Sequence, residues 1–313
     1  MTQEPHPDGT AEQELDREGI SPLEGHNPSL DLLINEITEL RALPAVAARV
    51  IEISGGEQFS AHELAQAVAS DQALTAKLLR LANSAYYGYP RKITTVRDAV
   101  VLLGFRAVRS AALASCVIDT MPDRAANTDP QRFWRFSVTV GMLAEVLAQA
   151  HRRHMDEAFT AGVVHNIGRL ALDQHRPRDL MAITTLSKRK KISIAEAEVA
   201  ILGFTDAQLG GALAMHWNFP EELVDAVAQH QLTLKTLPEP DSLASYVVRS
   251  RMFARASGLT DGIEPRKRDD PDAEWLMPPL SKALNRVGGI HGVEDRVSAF
   301  VESALGSDLA AAA

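Results

Sequence analysis

The side chains best able to do chemistry are ten histidines and a large set of carboxylates, and the most suggestive spot is His165-Asn166 in AGVVHNIGRL. An adjacent His and Asp there would let two neighbouring side chains meet a metal pair. Position 166 is Asn, and a neutral amide oxygen is a weak ligand that cannot supply the negative charge needed to hold or bridge divalent cations. A lone histidine inside an amphipathic helix reads first as a packed or hydrogen-bonded core residue. His216 and His230 read the same way, since each closes an apolar helix where an imidazole meets free carbonyls. Cys116 is the single cysteine, which excludes an intramolecular disulfide, a zinc ribbon and a CxxC redox site and favours a reducing compartment. The chain contains no phosphate-binding G-x-x-x-x-G-K-S/T, no G-x-S-x-G and no G-x-G-x-x-G, so phosphate-loop enzymes and α/β-hydrolases gain no support.

Three basic clusters, His151 to His154, Lys188 to Lys191 and Arg266 to Arg268, lie at helix ends or in polar loops. None is interleaved with aromatic residues that could stack on bases, so each reads as solvated surface and nucleic acid is not expected as a partner. A different feature is the stretch RLANSAYYGYPRKITTVRDAVVLLGFRAV. Asn83 ends a helix, Tyr86, Tyr87 and Gly88 place two rings in a turn, and Thr94 or Thr95 caps the next helix. Packing explains a tyrosine corner of this kind, and rigid aromatics also suit a partner-binding surface.

The elements that must carry these residues are helices. Ser60 with Glu63, Ser193 with Glu196 and Thr205 with Gln208 read as capping boxes, Asp129-Pro130 as a cap followed by a first-turn proline, and Pro220-Glu221-Glu222 as another start. Leu30, Leu33, Ile34, Ile37 and Leu40 share one helical face, Gly104 suits a left-handed C-cap before the next apolar helix, and alternating β-branched runs are scarce. The fold class is all-α. Of 313 residues 45% are apolar and 23% charged, enough for a sizeable core, and no apolar run approaches the roughly 18 residues of a membrane span. The formal charge is -9, but residues 1–28 hold seven carboxylates against Arg17 alone, so the rest is nearly neutral. That segment is expected to be a disordered acidic leader without export-signal features, and the protein is expected in the cytoplasm without membrane contact.

The successive stretches LPAVAARVIEI, AQAVASDQALTAKLLRLANSAYYG, ITTVRDAVVLLGFRAVRSAAL, FWRFSVTVGMLAEVLA and FTAGVVHNIGRLAL resemble, in order, the motifs of the HDOD domain, the HD-related output domain of bacterial signalling proteins. The resemblance runs from about 43 to 252. It implies an N-terminal helical subdomain over 29–121, an HD-like C-terminal helical bundle over 130–256, and loop and helices over 257–313. Active HD phosphohydrolases use a first His, an adjacent His-Asp, further histidines and a late Asp to bind metal. By motif position these fall here on Phe136, on His165 with Asn166, on Asp206, on His230 with Gln231, and on the region of Arg251. The resemblance therefore implies a vestigial cleft of Phe136, His165, Asn166, Asp206, His230 and Arg251 that holds no metal or other cofactor, with Phe136 filling the old cavity. It implies a non-catalytic regulator that binds signalling proteins of two-component or cyclic-dinucleotide systems, with Asn83, Tyr86, Tyr87 and Gly88 as candidate partner surface and homodimerisation left open. Two alternatives are a sensor that binds a nucleotide second messenger in the degenerate cleft through Arg251 and helix N-termini, and a metal-dependent phosphohydrolase.

Overall fold

The computed structural model describes residues 27–40, 44–54, 61–84, 91–120, 126–154, 157–264 and 273–305. Over these the chain is helical throughout, with no strand among the described residues. The tyrosine corner Tyr86, Tyr87 and Gly88, the cap at Ser60, the basic run 266–268 and most of the acidic leader lie outside the described residues.

The first half holds α1 (Pro28–Leu40), α2 (Ala45–Ser54), α3 (Ala61–Ala69), α4 (Gln72–Ala82), α5 (Val96–Leu103) and α6 (Phe105–Thr120). Their starts follow local chemistry. The side-chain oxygen of Asn27 accepts the N–H groups of Ser29 and Leu30 at 3.0 and 3.2 Å, so α1 begins at Pro28 and residues 27 and 28 cap a helix instead of closing the leader. Asp71 accepts Leu74 N–H at 2.9 Å to start α4, whose Leu74, Leu78 and Leu81 then fall on one buried face. Thr95 caps α5 by accepting Asp98 N–H at 3.0 Å. Gly104 ends α5 at φ 90°, ψ 154°. It therefore has the expected positive φ, but not the left-handed helical ψ: the backbone is in the extended mirror region open essentially to glycine alone, and α6 begins at the next residue.

The second half comprises α7 (Pro130–His151), α8 (Ala158–Val164), α9 (Ile167–His175), α10 (Pro177–Lys190), α11 (Ile194–Leu202), α12 (Asp206–His216), α13 (Glu221–Ala228) and α14 (Leu243–Ala256). After a 3-10 turn at Ala273–Leu276 come α15 (Leu280–Arg286) and α16 (Gly289–Leu305). Both capping boxes expected here are formed, by Ser193 with Glu196 and by Thr205 with Gln208, and Asp129 caps α7 ahead of Pro130. α7 is the central rod. It buries side chains on nearly every face, including Phe133, Trp134, Phe136, Val140, Leu143 and Leu147, and packs against α8, α14, α15 and α16. α16 also touches α4 and α6, while α1 lies on α12, so both ends of the described chain cross from one half to the other. The internal linker is tied down where it meets α7: the Asp173 carboxylate accepts the N–H groups of Asn127 and Thr128 and the Asn127 amide at 2.7 to 3.0 Å.

Candidate functional site

His165 and Asn166 do not lie inside one helix. They form a two-residue corner between α8 and α9, a departure from the continuous helix expected from AGVVHNIGRL. The reason is packing. A Cβ on Gly168 would stand 1.9 Å from the carbonyl oxygen of Asp206 and 2.5 Å from the backbone nitrogen of Gly210, so α9 and α12 touch backbone to backbone just after the corner. Glycine at 168 permits that approach, and the turn sets α9 on the required line.

Around the corner the structure brings together several of the side chains that the motif order assigns to a cleft. The His165 ring lies 5.1 Å from that of His230 and 6.0 Å from that of Phe136, centre to centre. Phe136, His165, Asn166, Asp206 and His230 are all buried, while Arg251 is partly exposed. Both imidazoles sit with Nδ1 on a carbonyl three residues back, His165 on Gly162 at 2.6 Å and His230 on Val227 at 2.8 Å. This matches the reading of His230 as a residue meeting free helix-end carbonyls. His216, given the same reading, is exposed instead, because it closes α12 on the side away from the core.

The centre of the site is a residue the sequence reading passed over. Arg169, wholly buried, donates from Nε to Asp206 at 2.5 Å, from Nη1 to Asp261 at 2.6 Å and from Nη2 to Glu264 at 3.2 Å, with Glu198 at 4.0 Å. Asn166 donates its amide to Asp261 at 3.2 Å, and Gln231 donates to Asp206 at 2.5 Å. Arg251 pairs with Glu264, and Arg255 reaches the same carboxylate at 2.5 Å. Arg169 stands in the apolar run IGRLAL, and a charge on the buried stripe of a helix is a signal that counter-charges must converge on it. Asp261 and Glu264 sit in a loop without periodicity, where no local pattern marks them.

Charge states follow from this geometry. Burial alone would disfavour the guanidinium of Arg169, but Asp206, Asp261, Glu264 and Glu198 outweigh it and hold the pKa well above the usual value. Burial likewise opposes ionisation of Glu264, yet Arg251, Arg169 and Arg255 keep it a carboxylate. Glu198 is pushed well up by burial and then by Asp206. Asp206, the member of that adjacent pair with the direct guanidinium contact, is raised as well, by burial, with Arg169 opposing the shift. His165 is held well below the ordinary histidine range by burial and then by His230; His230 is lowered to about 3 by burial and then by Arg251. Both imidazoles are neutral at pH 7.

These residues do not fit a divalent metal. Asp206, Asp261 and Glu264 are engaged by a permanent guanidinium, position 166 offers an amide, and the imidazoles face the like charge of Arg251 and Arg169. Among the described residues no group of three or more His, Cys, Asp and Glu side chains is arranged to hold a metal ion. No helix of the described chain is long and apolar enough to cross a membrane. Asn83 is placed elsewhere, at the end of α4. Its amide donates to the Leu79 and Ile93 carbonyls and its oxygen accepts Ile93 N–H, all at 2.7 Å, which ties the end of α4 to the backbone ahead of α5.

Fold and site together define an all-α domain whose His165-Asn166 corner is backed by a buried guanidinium–carboxylate network. The HDOD domain family model matches residues 40–233, more than half of the chain, and the chain belongs to that family. Among solved structures the chain is similar to an HDOD domain protein of unknown function from Geobacter sulfurreducens (23% identity, TM-score 0.66, covering 90% of this chain and 96% of that one). It is also similar to a protein from Shewanella amazonensis provisionally described as a phosphohydrolase (24%, TM-score 0.66, 90% and 98%). A third, from Marinobacter aquaeolei and provisionally described as a signal transduction protein, matches at 21% with TM-score 0.65, over 86% of this chain and 65% of that one. A curated relative, an uncharacterized protein of Treponema pallidum, is 24% identical over 231 residues, 71% of this chain; the chain spans less than half of that relative, 44% of its length.

Proposed function

We propose that this HDOD protein is a non-catalytic regulator of bacterial signal transduction that acts by binding another signalling protein. The observation that carries the reading is the Arg169 network: a guanidinium bonded at 2.5 and 2.6 Å to two of the acids stands where metal-dependent hydrolysis would need a cation with an open water position. Asn166 and Phe136 add to it, the first as an amide donor to Asp261 and the second as an apolar ring against His165. The provisional description of the Marinobacter aquaeolei structure as a signal transduction protein points the same way. The partner is a component of a two-component or cyclic-dinucleotide pathway, and the working compartment is the cytoplasm.

The test is in-cell crosslinking in the native host with mass spectrometry of the co-purifying proteins, run beside metal analysis of protein purified with Mn, Fe and Zn available. One enriched signalling protein, lost in Tyr86→Ala/Tyr87→Ala while the fold survives, supports the reading. Near-stoichiometric metal that falls in His165→Ala together with phosphohydrolase activity would replace it with the enzyme.

A further inference from the structure

On the outer side of the buried network lies a cavity of about 680 Å³, between the end of α10, the first turn of α11 and the α14 face that carries Arg251 and Arg255. That volume is typical of small-molecule sites, which span roughly 300–1,000 Å³. Its charged lining is Lys188, Lys191, Arg251 and Arg255 against Glu264 alone. Glu264 is already shared by three guanidinium groups, those of Arg169, Arg251 and Arg255. Inside, Arg169 also lies within ion-pair distance of Asp206, Asp261 and Glu198. The cavity wall itself thus carries four cationic side chains against one carboxylate, on a chain that is nearly neutral outside residues 1–28.

We propose that this cavity binds a phosphorylated small molecule of nucleotide size, with Lys188, Lys191, Arg251 and Arg255 on its phosphates. Forked guanidinium donors and ammonium groups together suit phosphate oxygens. The α11 capping box uses the N–H groups of Ser193 and Glu196, which leaves those of Ile194 and Ala195, both in the cavity wall, for an anion as a supplement to the side chains. Ile192, Ile194 and Ala195 supply apolar wall for the uncharged part of the ligand. The ligand sits outside the inherited cleft, since His165, His230, Asp206 and Phe136 are packed shut, and shares with it only Arg251. A phosphate there competes with Glu264 for Arg251 and Arg255, and Glu264 is bonded to Arg169, so occupancy bears directly on the α8–α9 corner. The site does not depend on the protein-binding reading: either can fail while the other stands.

The test is isothermal titration calorimetry of the full chain with ATP, GTP, cyclic di-GMP and inorganic pyrophosphate, and with adenosine as the uncharged comparison. Saturable binding of at least one phosphorylated probe is expected, with none for adenosine and with affinity falling as salt rises. Lys188→Glu/Lys191→Glu, two exposed positions, should weaken binding by about tenfold or more, while Lys282→Glu on α15 leaves it unchanged. The proposal is overturned by no saturable heat with any phosphorylated probe at millimolar concentration. It is equally overturned by binding that the double variant does not alter, or by binding that Lys282→Glu weakens as much.

Discussion

The corners at Asn83 and at His165-Asn166 both turn the chain between helices, and they are held by opposite means. At Asn83 one neutral amide makes three bonds of 2.7 Å to backbone groups, and the surrounding half is otherwise an apolar core of Leu, Val and Ala. At His165-Asn166 the backbone is fixed by a glycine contact, and the side chains behind it converge on a buried ion. A neutral corner is lost in small increments. An ionic one fails as a unit, because removing one member leaves its partners buried and unpaired. The second half should therefore be the more sensitive to single substitutions and to acid.

The largest break in that contrast is Arg169→Met, which strands Asp206 and Asp261 in the core. We expect a loss of about 3–5 kcal/mol in denaturant unfolding, recovered in part by adding Asp206→Asn and Asp261→Asn. A loss under 1 kcal/mol would show that the network contributes little to the fold. Gly168→Ala should follow at about 1–3 kcal/mol, because α9 and α12 must part to admit a Cβ. Unchanged stability there would mean that the contact relaxes freely. Asn83→Ala removes three neutral bonds at the edge of the first half and should cost about 1–2 kcal/mol. If it costs as much as Arg169→Met, the proposed contrast between the halves disappears.

The smallest effect concerns pH and sharpens the contrast further. His230 has a folded pKa near 3, below its unfolded value of 6.5, so the unfolded chain takes up a proton that the folded chain refuses. Its contribution is present above pH 6.5 and is lost as pH falls toward 3. Between about pH 6.5 and about pH 5.5 that amounts to about 1 kcal/mol. His230→Leu should flatten the acid side of the stability curve by this amount, as read from urea midpoints at several pH values. A slope equal to wild type would mean that the ring is protonated in the folded protein.

Much of the scaffold was legible in the sequence because its signals are local. Ser193 with Glu196, Thr205 with Gln208 and Asp129-Pro130 each specify a helix start within four residues, and each is formed. The structure also gathers His165, His230, Phe136 and Asp206, four of the positions that the motif order singles out, into one buried group. What could not be read was how their charge is balanced. Asp261 and Glu264 lie 92 and 95 residues beyond Arg169, in a loop with no periodic pattern, and their meaning exists only once α9, α12 and α14 are in place. The break at His165 was missed for a related reason: AGVVHNIGRL has the composition of one helix, and the pressure that turns it comes from the backbone of α12.

The family match ends at residue 233, yet two of the acids on Arg169, Asp261 and Glu264, lie past that limit, as do α14 and the strap of α16 across α4, α6 and α7. The matched stretch and the set of acids that meets Arg169 thus occupy different lengths of chain. A gene fusion that carried only the matched stretch into another protein would keep Asp206 and Glu198 but strip Arg169 of two of its three bonded carboxylates. Any lineage that shuffles this domain must therefore move the downstream loop with it or find new anions for Arg169.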